Sequence, residues 1–309
     1  MATLKFFITG GTGYIGREVV SELVRRGIVV IALVRRATDL EGCRTVVGDL
    51  TCVGQLAEEV AGADGIIHLA TPRSYLRDAV MSEVTAVALL IDAWRTGPFV
   101  FASSATIEGW GPEPLHENSP AQVRNWYELG KLCNEFQLRV APRLYQRAPA
   151  ISLRPAGLVI GSNERRRPDQ RFAIFYDQCQ LGCRFVFLSE ELLETSGSSF
   201  IGAADLGRGF AESITIKTPG AYNVAGGFCT WKSLIETVRR VVGTRSNVVI
   251  RPDGSVGAGE FMLPQSRRCL DVSSFAQTHF APKQTLEELI HEFVAAEHTK
   301  GAPEAKVAI

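Results

Sequence analysis

The stretch Thr9-Gly10-Gly11-Thr12-Gly13-Tyr14-Ile15-Gly16 decides the fold of this chain. It lies between an apolar segment, residues 3–9, and an amphipathic one, residues 18–26, so it is expected to join a strand to a helix. Glycine permits the tight turn and lets a pyrophosphate approach the backbone, and free N–H groups at the helix start bind the anion. The alternative is an ordinary strand–helix turn. We therefore predict a dinucleotide-binding turn, with cofactor contacts at Gly10, Gly13, Tyr14, Ile15 and Gly16.

Two arginines follow the second predicted strand, residues 28–34. An NAD site usually has an acidic residue about 20 positions after the glycines, whereas Arg35 and Arg36 stand here. A guanidinium fork suits the 2′-phosphate of NADP, so NADP is predicted in preference to NAD. A solvated loop is the alternative. Asp49, after the third strand, is expected to accept the adenine amino group or else to be a helix N-terminal acid.

Short apolar strands alternate with helices through the first 160 residues. The pattern predicts strands at 45–47, 65–70, 99–102 and 151–153, and helices at 53–60, 79–95 and 127–140. This alternation indicates an α/β fold with a Rossmann-type doubly wound parallel sheet. Residues 1–160 form this dinucleotide-binding domain, and residues 161–309 are expected to form mainly a smaller mixed α/β substrate-binding cap, from which residues at about 200–228 return to the Rossmann body.

Within the cap the periodicity is weaker. It predicts strands at 184–188, 221–224 and 247–250, and helices at 206–212, 231–242 and 286–296. Residues 163–170 are expected to be a surface loop and residues 301–309 a frayed end.

Composition excludes several classes of protein. The 33 basic residues balance the 33 acidic ones, which argues against a nucleic-acid binder that relies on general electrostatics. No stretch approaches the ~20 apolar residues of a membrane span, and the N-terminal apolar run is too short for a signal peptide. The seven cysteines are scattered and odd in number, so reduced thiols and no metal site are expected. We predict a soluble, cytoplasmic protein whose partner is a small molecule.

Tyr127 and Lys131 are four positions apart on a predicted helix, so their side chains share one face. A free tyrosine has a pKa of about 10, and a cation within about 4–6 Å favours the phenolate. The pair predicts an acid/base at Tyr127, with Lys131 placed to hold a ribose. Ser104 follows the strand at 99–102, where parallel sheets bind ligands, and can hydrogen-bond a substrate oxygen; a turn or helix cap is the alternative. No histidine has a partner at a useful spacing, which disfavours a Ser-His-Asp hydrolase.

Over most of its length the chain resembles an extended short-chain dehydrogenase/reductase of the NAD(P)-dependent epimerase/dehydratase group. The resemblance is carried by the glycine turn, the Tyr127/Lys131 pair, and residues 48–50, 68–70, 103–106, 153–155 and 200–205. It implies that Ser104 and Thr106 touch the substrate, that Tyr127 is acid/base, and that Lys131 binds the nicotinamide ribose. It also implies cofactor contacts at Asp49, Leu50, Leu69, Ala70 and Pro155. Two-helix dimer interfaces are frequent in the family, so a homodimer stays open.

Three departures from the family pattern bear on function. Glu108 stands where an aromatic residue is usual, and Glu83 or Leu89 falls near a family asparagine. The arginine of sugar-nucleotide enzymes is absent from Gly197-Ser198-Ser199, which speaks against a nucleotide-sugar substrate unless residues 165–167 or Arg184 substitute.

The leading hypothesis is an NADPH-dependent reductase of a carbonyl, or of an activated double bond, in a non-nucleotide small molecule such as a secondary metabolite. One alternative is an epimerase or dehydratase that retains its cofactor. A hypothesis of another class is a catalytically silent NADP-sensing interaction protein.

Overall fold

The structure, a computed structural model, describes residues 3–51, 56–72, 74, 76–161, 170–278 and 280–299. The loop predicted at 163–170, apart from residue 170, and the frayed end predicted at 301–309 lie outside these ranges. None of the described helices combines the length and the apolarity that crossing a membrane requires.

The centre of the fold is a sheet of seven parallel strands. They are β1 (Lys5–Thr9), β2 (Val29–Val34), β3 (Arg44–Val47), β4 (Ile66–His68), β5 (Phe99–Ala102), β6 (Ala150–Pro155) and β10 (Gly220–Val224). Their spatial order is β10-β6-β5-β4-β1-β2-β3, and the neighbouring strands run parallel. The order reverses between β1 and β4, so a crevice opens at the carboxyl ends of these two strands. The predicted Rossmann-type sheet is confirmed.

Alternating side chains of the strands fill two cores, one on each face of the sheet. Phe6 and Ile8 of β1 point into one core, and Phe7 points into the other. Helices cover both faces: α1 (Tyr14–Arg25), α2 (Ala57–Ala61), α3 (Arg77–Ala93), α4 (Trp126–Tyr145) and α7 (Ala203–Ser213). The first core includes side chains of α1 and α7, and the second includes side chains of α2, α3 and α4.

A separate apolar core holds most of the remaining elements together. Its helices are α5 (Arg171–Gln180), α6 (Glu190–Thr195), α8 (Trp231–Val242) and α10 (Leu286–Thr299), while α9 (Ser273–Ala276) packs on β10. The remaining strands are β7 (Leu158–Ile160), β8 (Arg184–Phe187), β9 (Gly197–Gly202), β11 (Gly227–Thr230), β12 (Asn247–Ile250), β13 (Glu260–Met262) and β14 (Arg267–Arg268). They form a four-stranded sheet, β11-β9-β14 with β7 on β9, and a three-stranded sheet, β12-β8-β13. The domain division at residue 160 stays a prediction, and β10 lies in the large sheet.

Candidate active site

The glycine turn closes the carboxyl end of β1. Gly10 has φ +75°, and a methyl group built on it would lie 2.5 Å from the backbone nitrogen of Ala70. A methyl group on Gly16 would lie 2.1 Å from the carbonyl oxygen of Gly10. No side chain caps α1 at Gly13, and its first turn carries no acidic residue. The turn therefore presents bare backbone and the positive end of a helix dipole, the arrangement that a pyrophosphate requires.

The residues predicted to select the cofactor lie together at the same edge of the sheet. Val34 of β2 pairs with Val47 of β3, so Arg35 and Asp49 follow neighbouring strand ends. Arg35 and Arg36 are exposed. Asp49 accepts hydrogen bonds from the backbone N–H and the hydroxyl of Thr51, and these bonds, with the charge of Arg35, lower its pKa. Leu50 lies beside Asp49 at this edge.

Leu69 and Ala70 line the other wall of the crevice. They follow β4, and the backbone nitrogen of Leu69 donates to the carbonyl oxygen of Thr9 at 3.0 Å. Tyr14 reaches from the turn to residue 161, where its hydroxyl donates to the Gly161 carbonyl at 3.1 Å. The turn, β4 and the segment after β7 are thus joined around the crevice.

The predicted acid/base pair lies on α4. Asn125 caps the helix by accepting a hydrogen bond from the backbone nitrogen of Glu128. Tyr127 and Lys131 then share one face, with the Lys131 Nζ 5.6 Å from the centroid of the Tyr127 ring. The same Nζ lies 4.9 Å from the ring centroid of Phe101 in β5. The helix face that carries the pair therefore packs against the carboxyl end of a central strand.

A carboxylate on the neighbouring helix holds the lysine. The Nζ of Lys131, a buried side chain, donates to Oε1 of Glu83 in α3 at 2.8 Å. Burial alone would lower the pKa of Lys131, but the charges of Glu83, Tyr127 and Glu135 and the Glu83 hydrogen bond outweigh it and raise that pKa. The sequence left Glu83 and Leu89 as alternatives near this position, and Glu83 makes the contact.

Ser104 and Thr106 form a hydroxyl pair at the end of β5. Their oxygens lie 2.9 Å apart, and Ser104 caps the 3₁₀ turn Ala105–Glu108 by accepting from the backbone nitrogen of Thr106. Both side chains are buried. Arg124, before α4, donates to the Thr106 carbonyl at 3.3 Å and so ties the hydroxyl pair to the start of the Tyr127 helix. Ser104 is therefore a cap residue, as the alternative interpretation predicted, and the hydroxyl pair lies beside the helix that carries Tyr127.

Glu108 points into the protein interior. It is fully buried, and its carboxylate accepts from Arg154 of β6 at 2.8 Å and from Asn223 of β10 at 3.2 Å. Burial raises its pKa to about 6 despite the Arg154 charge. Arg154 also makes two hydrogen bonds to Glu135 of α4. Glu108, which replaces the family's aromatic residue, therefore forms a structural ion pair with Arg154. Pro155 directly follows Arg154 at the end of β6.

His68 is a core residue. It is fully buried, its Nδ1 lies 2.6 Å from the Thr9 hydroxyl, and it stacks on Phe101. Burial and the charge of Lys131 lower its pKa to about 3, so the ring is neutral. His68 is therefore a neutral, buried side chain at the end of β4.

Comparison with known proteins identifies the family of this chain. The sequence model of the NAD dependent epimerase/dehydratase family matches residues 6–225. A 4-hydroxy-2-methyl-3-oxo-4-farnesyl-3,4-dihydroquinoline-1-oxide ketoreductase of Stigmatella aurantiaca is 35% identical over 29% of this chain and 30% of its own length. A dihydroflavonol 4-reductase of Gerbera hybrida is 29% identical over 35% of this chain and 36% of its own. These matches thus span about a third of each relative.

A solved structure shows the same fold over nearly the whole chain. The crystal structure of UDP-glucose 4-epimerase with UDP-glucose from Thermotoga maritima superposes with a TM-score of 0.78, covering 96% of this chain and 99% of the other at 17% identity. At that identity the likeness concerns the fold alone. The matched family covers more than half of the chain, including the glycine turn and the Tyr127/Lys131 pair. The chain belongs to the NAD dependent epimerase/dehydratase family, as its motifs predicted.

Proposed function

We propose that this chain is an NADPH-dependent oxidoreductase that reduces the carbonyl of a non-nucleotide small molecule, with Tyr127 as the acid/base. The buried Lys131 ammonium beside the Tyr127 ring carries the proposal. Because Glu83 keeps Lys131 charged, the ammonium stabilises negative charge on the phenol oxygen when Tyr127 gives a proton to a carbonyl oxygen. The ketoreductase and dihydroflavonol reductase among its relatives support a reductase.

The crevice fits a dinucleotide, because Gly10 and Gly16 allow the close backbone packing of the turn, and the start of α1 carries neither a capping side chain nor an acidic residue. When bound, the nicotinamide supplies or accepts a hydride. Arg35 and Arg36 would hold a 2′-phosphate, and Lys131 the nicotinamide ribose. The other residues that would hold the cofactor are Gly13, Tyr14, Ile15, Asp49, Leu50, Leu69, Ala70 and Pro155.

NADP preference is tested by removing the two guanidinium groups. Replacing Arg35 and Arg36 with serine is expected to weaken NADPH binding at least about tenfold, because each charge-assisted hydrogen bond is worth about 1.5–3 kcal/mol, while NADH binding stays unchanged. Arg239→Ser, at an exposed position of α8, is the matched control. Equal affinities of the unmodified protein for NADPH and NADH would refute the preference.

The catalytic roles are tested on α4. We propose that the Ser104 and Thr106 hydroxyls hold the carbonyl oxygen while Tyr127 donates the proton. Tyr127→Phe is expected to lower kcat at least about 100-fold, the lower range for general acid–base catalysis, with the Kd for NADPH unchanged. Tyr145→Phe, at the exposed end of the same helix, should leave kcat unchanged. Unaltered turnover of Tyr127→Phe would refute the acid/base role, and unaltered cellular function of the variant would favour the silent NADP sensor.

Cofactor stoichiometry separates the enzyme hypotheses. A reductase oxidises one NADPH for each molecule of product, which absorbance at the reduced nicotinamide band follows directly. An epimerase or dehydratase would convert substrate with no net change in that absorbance. Conversion without NADPH consumption would therefore replace the reductase proposal.

A homodimer is also proposed, on a stripe of apolar side chains along α4. Phe136, Val140 and Leu144 recur every four residues and are 52%, 46% and 69% exposed. Such a stripe marks an interaction surface on a soluble helix. Light scattering should give the mass of two chains, and Phe136→Glu with Leu144→Glu should give the mass of one. A monomeric unmodified protein would disprove the dimer.

A further inference from the structure

Arg268 is a buried arginine whose outer nitrogens have no hydrogen-bond partner among the residues that the structure describes. It lies in β14, its Nε donates to the Gly109 carbonyl at 2.8 Å, and its Cζ lies 4.0 Å from the ring centroid of Trp110. Its side chain is fully buried, yet neither Nη1 nor Nη2 makes a hydrogen bond within the described ranges. Buried charged donors are normally paired because their desolvation is costly. Among the described residues these two donors therefore have no acceptor, and a bound ligand would supply one.

The described acidic residues near Arg268 do not balance its charge. Glu128 is in an ion pair with Arg124 at 2.9 Å, and Glu108 is engaged by the sheet arginine described above. Burial, followed by the positive charges of Arg171 and Arg124, lowers the pKa of Arg268 to about 9. An anion bound at the guanidinium would offset both effects.

Arg268 contacts the segment that follows the two hydroxyl groups predicted to bind the substrate. Gly109, which accepts from Nε, directly follows the 3₁₀ turn that carries the Ser104 and Thr106 hydroxyls. Gly157 lies two positions after the proposed nicotinamide contact, Pro155. A methyl group on Gly157 would lie 3.4 Å from the Arg268 Nη1 and 2.9 Å from the Ser198 hydroxyl, so bare backbone faces the guanidinium.

Arg268 lies beside the stretch 197–199, where the family arginine is missing. Residues 197–199 lack the guanidinium that sugar-nucleotide enzymes carry there, but Arg268 pairs with Ser198 across β14 and β9. The neighbouring strand thus brings a guanidinium to that place. The lack of an arginine at 197–199 still speaks against a nucleotide-sugar diphosphate, while Arg268 on the neighbouring strand offers a guanidinium to another anion.

We propose that Arg268 binds a carboxylate of the substrate end-on through Nη1 and Nη2, so that the molecule reduced at Tyr127 is a carbonyl compound that also carries a carboxylate. This inference rests on the proposed function. Two parallel N–H donors match the two oxygens of one carboxylate. A monoanion also neutralises the single buried charge.

Binding of model anions to the NADP⁺-saturated protein tests the site without turnover. In isothermal titration, benzoate should bind, whereas benzamide, which has the same shape and no charge, should not. Arg268→Met should weaken benzoate at least about tenfold, which is about 1.4 kcal/mol. Arg267→Met is the control, because Arg267 also stacks on an aromatic ring, Phe228, and donates to a loop carbonyl, but should leave benzoate binding unchanged.

The outcomes separate this inference from the proposed function. The carboxylate site would be overturned if Arg268→Met still bound benzoate, or if unmodified protein that binds NADP⁺ did not bind it. Binding of inorganic phosphate at Arg268 in place of benzoate would overturn it as well. Tyr127→Phe should bind benzoate normally, since the site does not need the acid/base. Should Arg268→Met fail to fold, Gly157→Ala, which crowds Nη1, must weaken benzoate at least about tenfold.

Discussion

The buried pair of Lys131 and Glu83 makes a quantitative prediction about stability. Both side chains are less than 10% exposed, and the Nζ and Oε1 atoms lie 2.8 Å apart. Removing one partner of a buried ion pair costs about 3–5 kcal/mol, but Glu83→Gln retains an acceptor oxygen, so we expect a loss of about 2–3 kcal/mol in the free energy of unfolding at pH 7. Urea unfolding followed by circular dichroism measures it.

The dependence on pH follows from the raised pKa of Lys131. A lysine with a raised folded-state pKa contributes stability that is fully present below its ordinary value of 10.5 and is lost as pH rises through the folded value. The difference between Glu83→Gln and the unmodified protein should therefore be the same at pH 7 and pH 9. Turnover should also fall, because the ammonium beside Tyr127 loses its counter-ion.

Two further measurements decide whether charge pairing is the cause. Glu287→Gln breaks the exposed pair with Arg240 and should leave stability unchanged within error. In a double-mutant cycle, Glu83→Gln and Lys131→Met should show a coupling of about 2 kcal/mol. Additive effects, or a Glu83→Gln variant as stable as the unmodified protein, would refute the reasoning.

Three other variants test separate features. In the folded protein the pKa of Glu108 is about 6, above its ordinary value of 4.5. The protonated carboxyl group therefore contributes stability that is fully present below pH 4.5 and is lost as the pH rises through 6. Relative to Glu108→Gln, the unmodified protein should lose about 2 kcal/mol of unfolding free energy between these pH values in urea unfolding. Gly16→Ala places a methyl group 2.1 Å from the Gly10 carbonyl and should abolish NADPH binding in fluorescence titration. Asp205→Asn weakens the carboxylate that accepts from the backbone nitrogen of Lys283 at 2.8 Å, and should lower the free energy of unfolding by about 1–2 kcal/mol.

The main sheet was predictable because its signals are local. The apolar run of β2 and the amphipathic pattern of α1 follow from periodicity, and the glycine turn fixes their connection. The cap strand β9 was missed because its sequence, Gly-Ser-Ser-Phe-Ile-Gly, contains small and turn-forming residues. It is a strand because β7, β11 and β14 pair with it, which no local pattern reveals.

The site divides in the same way. Tyr127 and Lys131 share a helix, so their spacing predicts their neighbourhood. Glu83 lies on another helix, α3. The sequence offered both Glu83 and Leu89 near the position of the family asparagine, and did not decide between them. Arg267 and Arg268 are adjacent and chemically identical, yet only the pairing of β14 with β9 decides that Arg268 is the buried one. An arginine inside the apolar strand β6 was the signal that could have indicated the ion pair of Glu108.

The Arg154 network sets a rule for anyone who exchanges substrate loops between relatives of this protein. Arg154 binds Glu135, Glu108 and the Glu117 carbonyl, and the Glu117 side chain accepts from the backbone nitrogen of Asn223. A grafted loop over residues 109–123 that lacks a glutamate at 117 would leave a sheet strand without its acceptor. Loop, strand and helix must therefore be transplanted as one inherited set, and swaps that cut through the network should yield insoluble chimaeras.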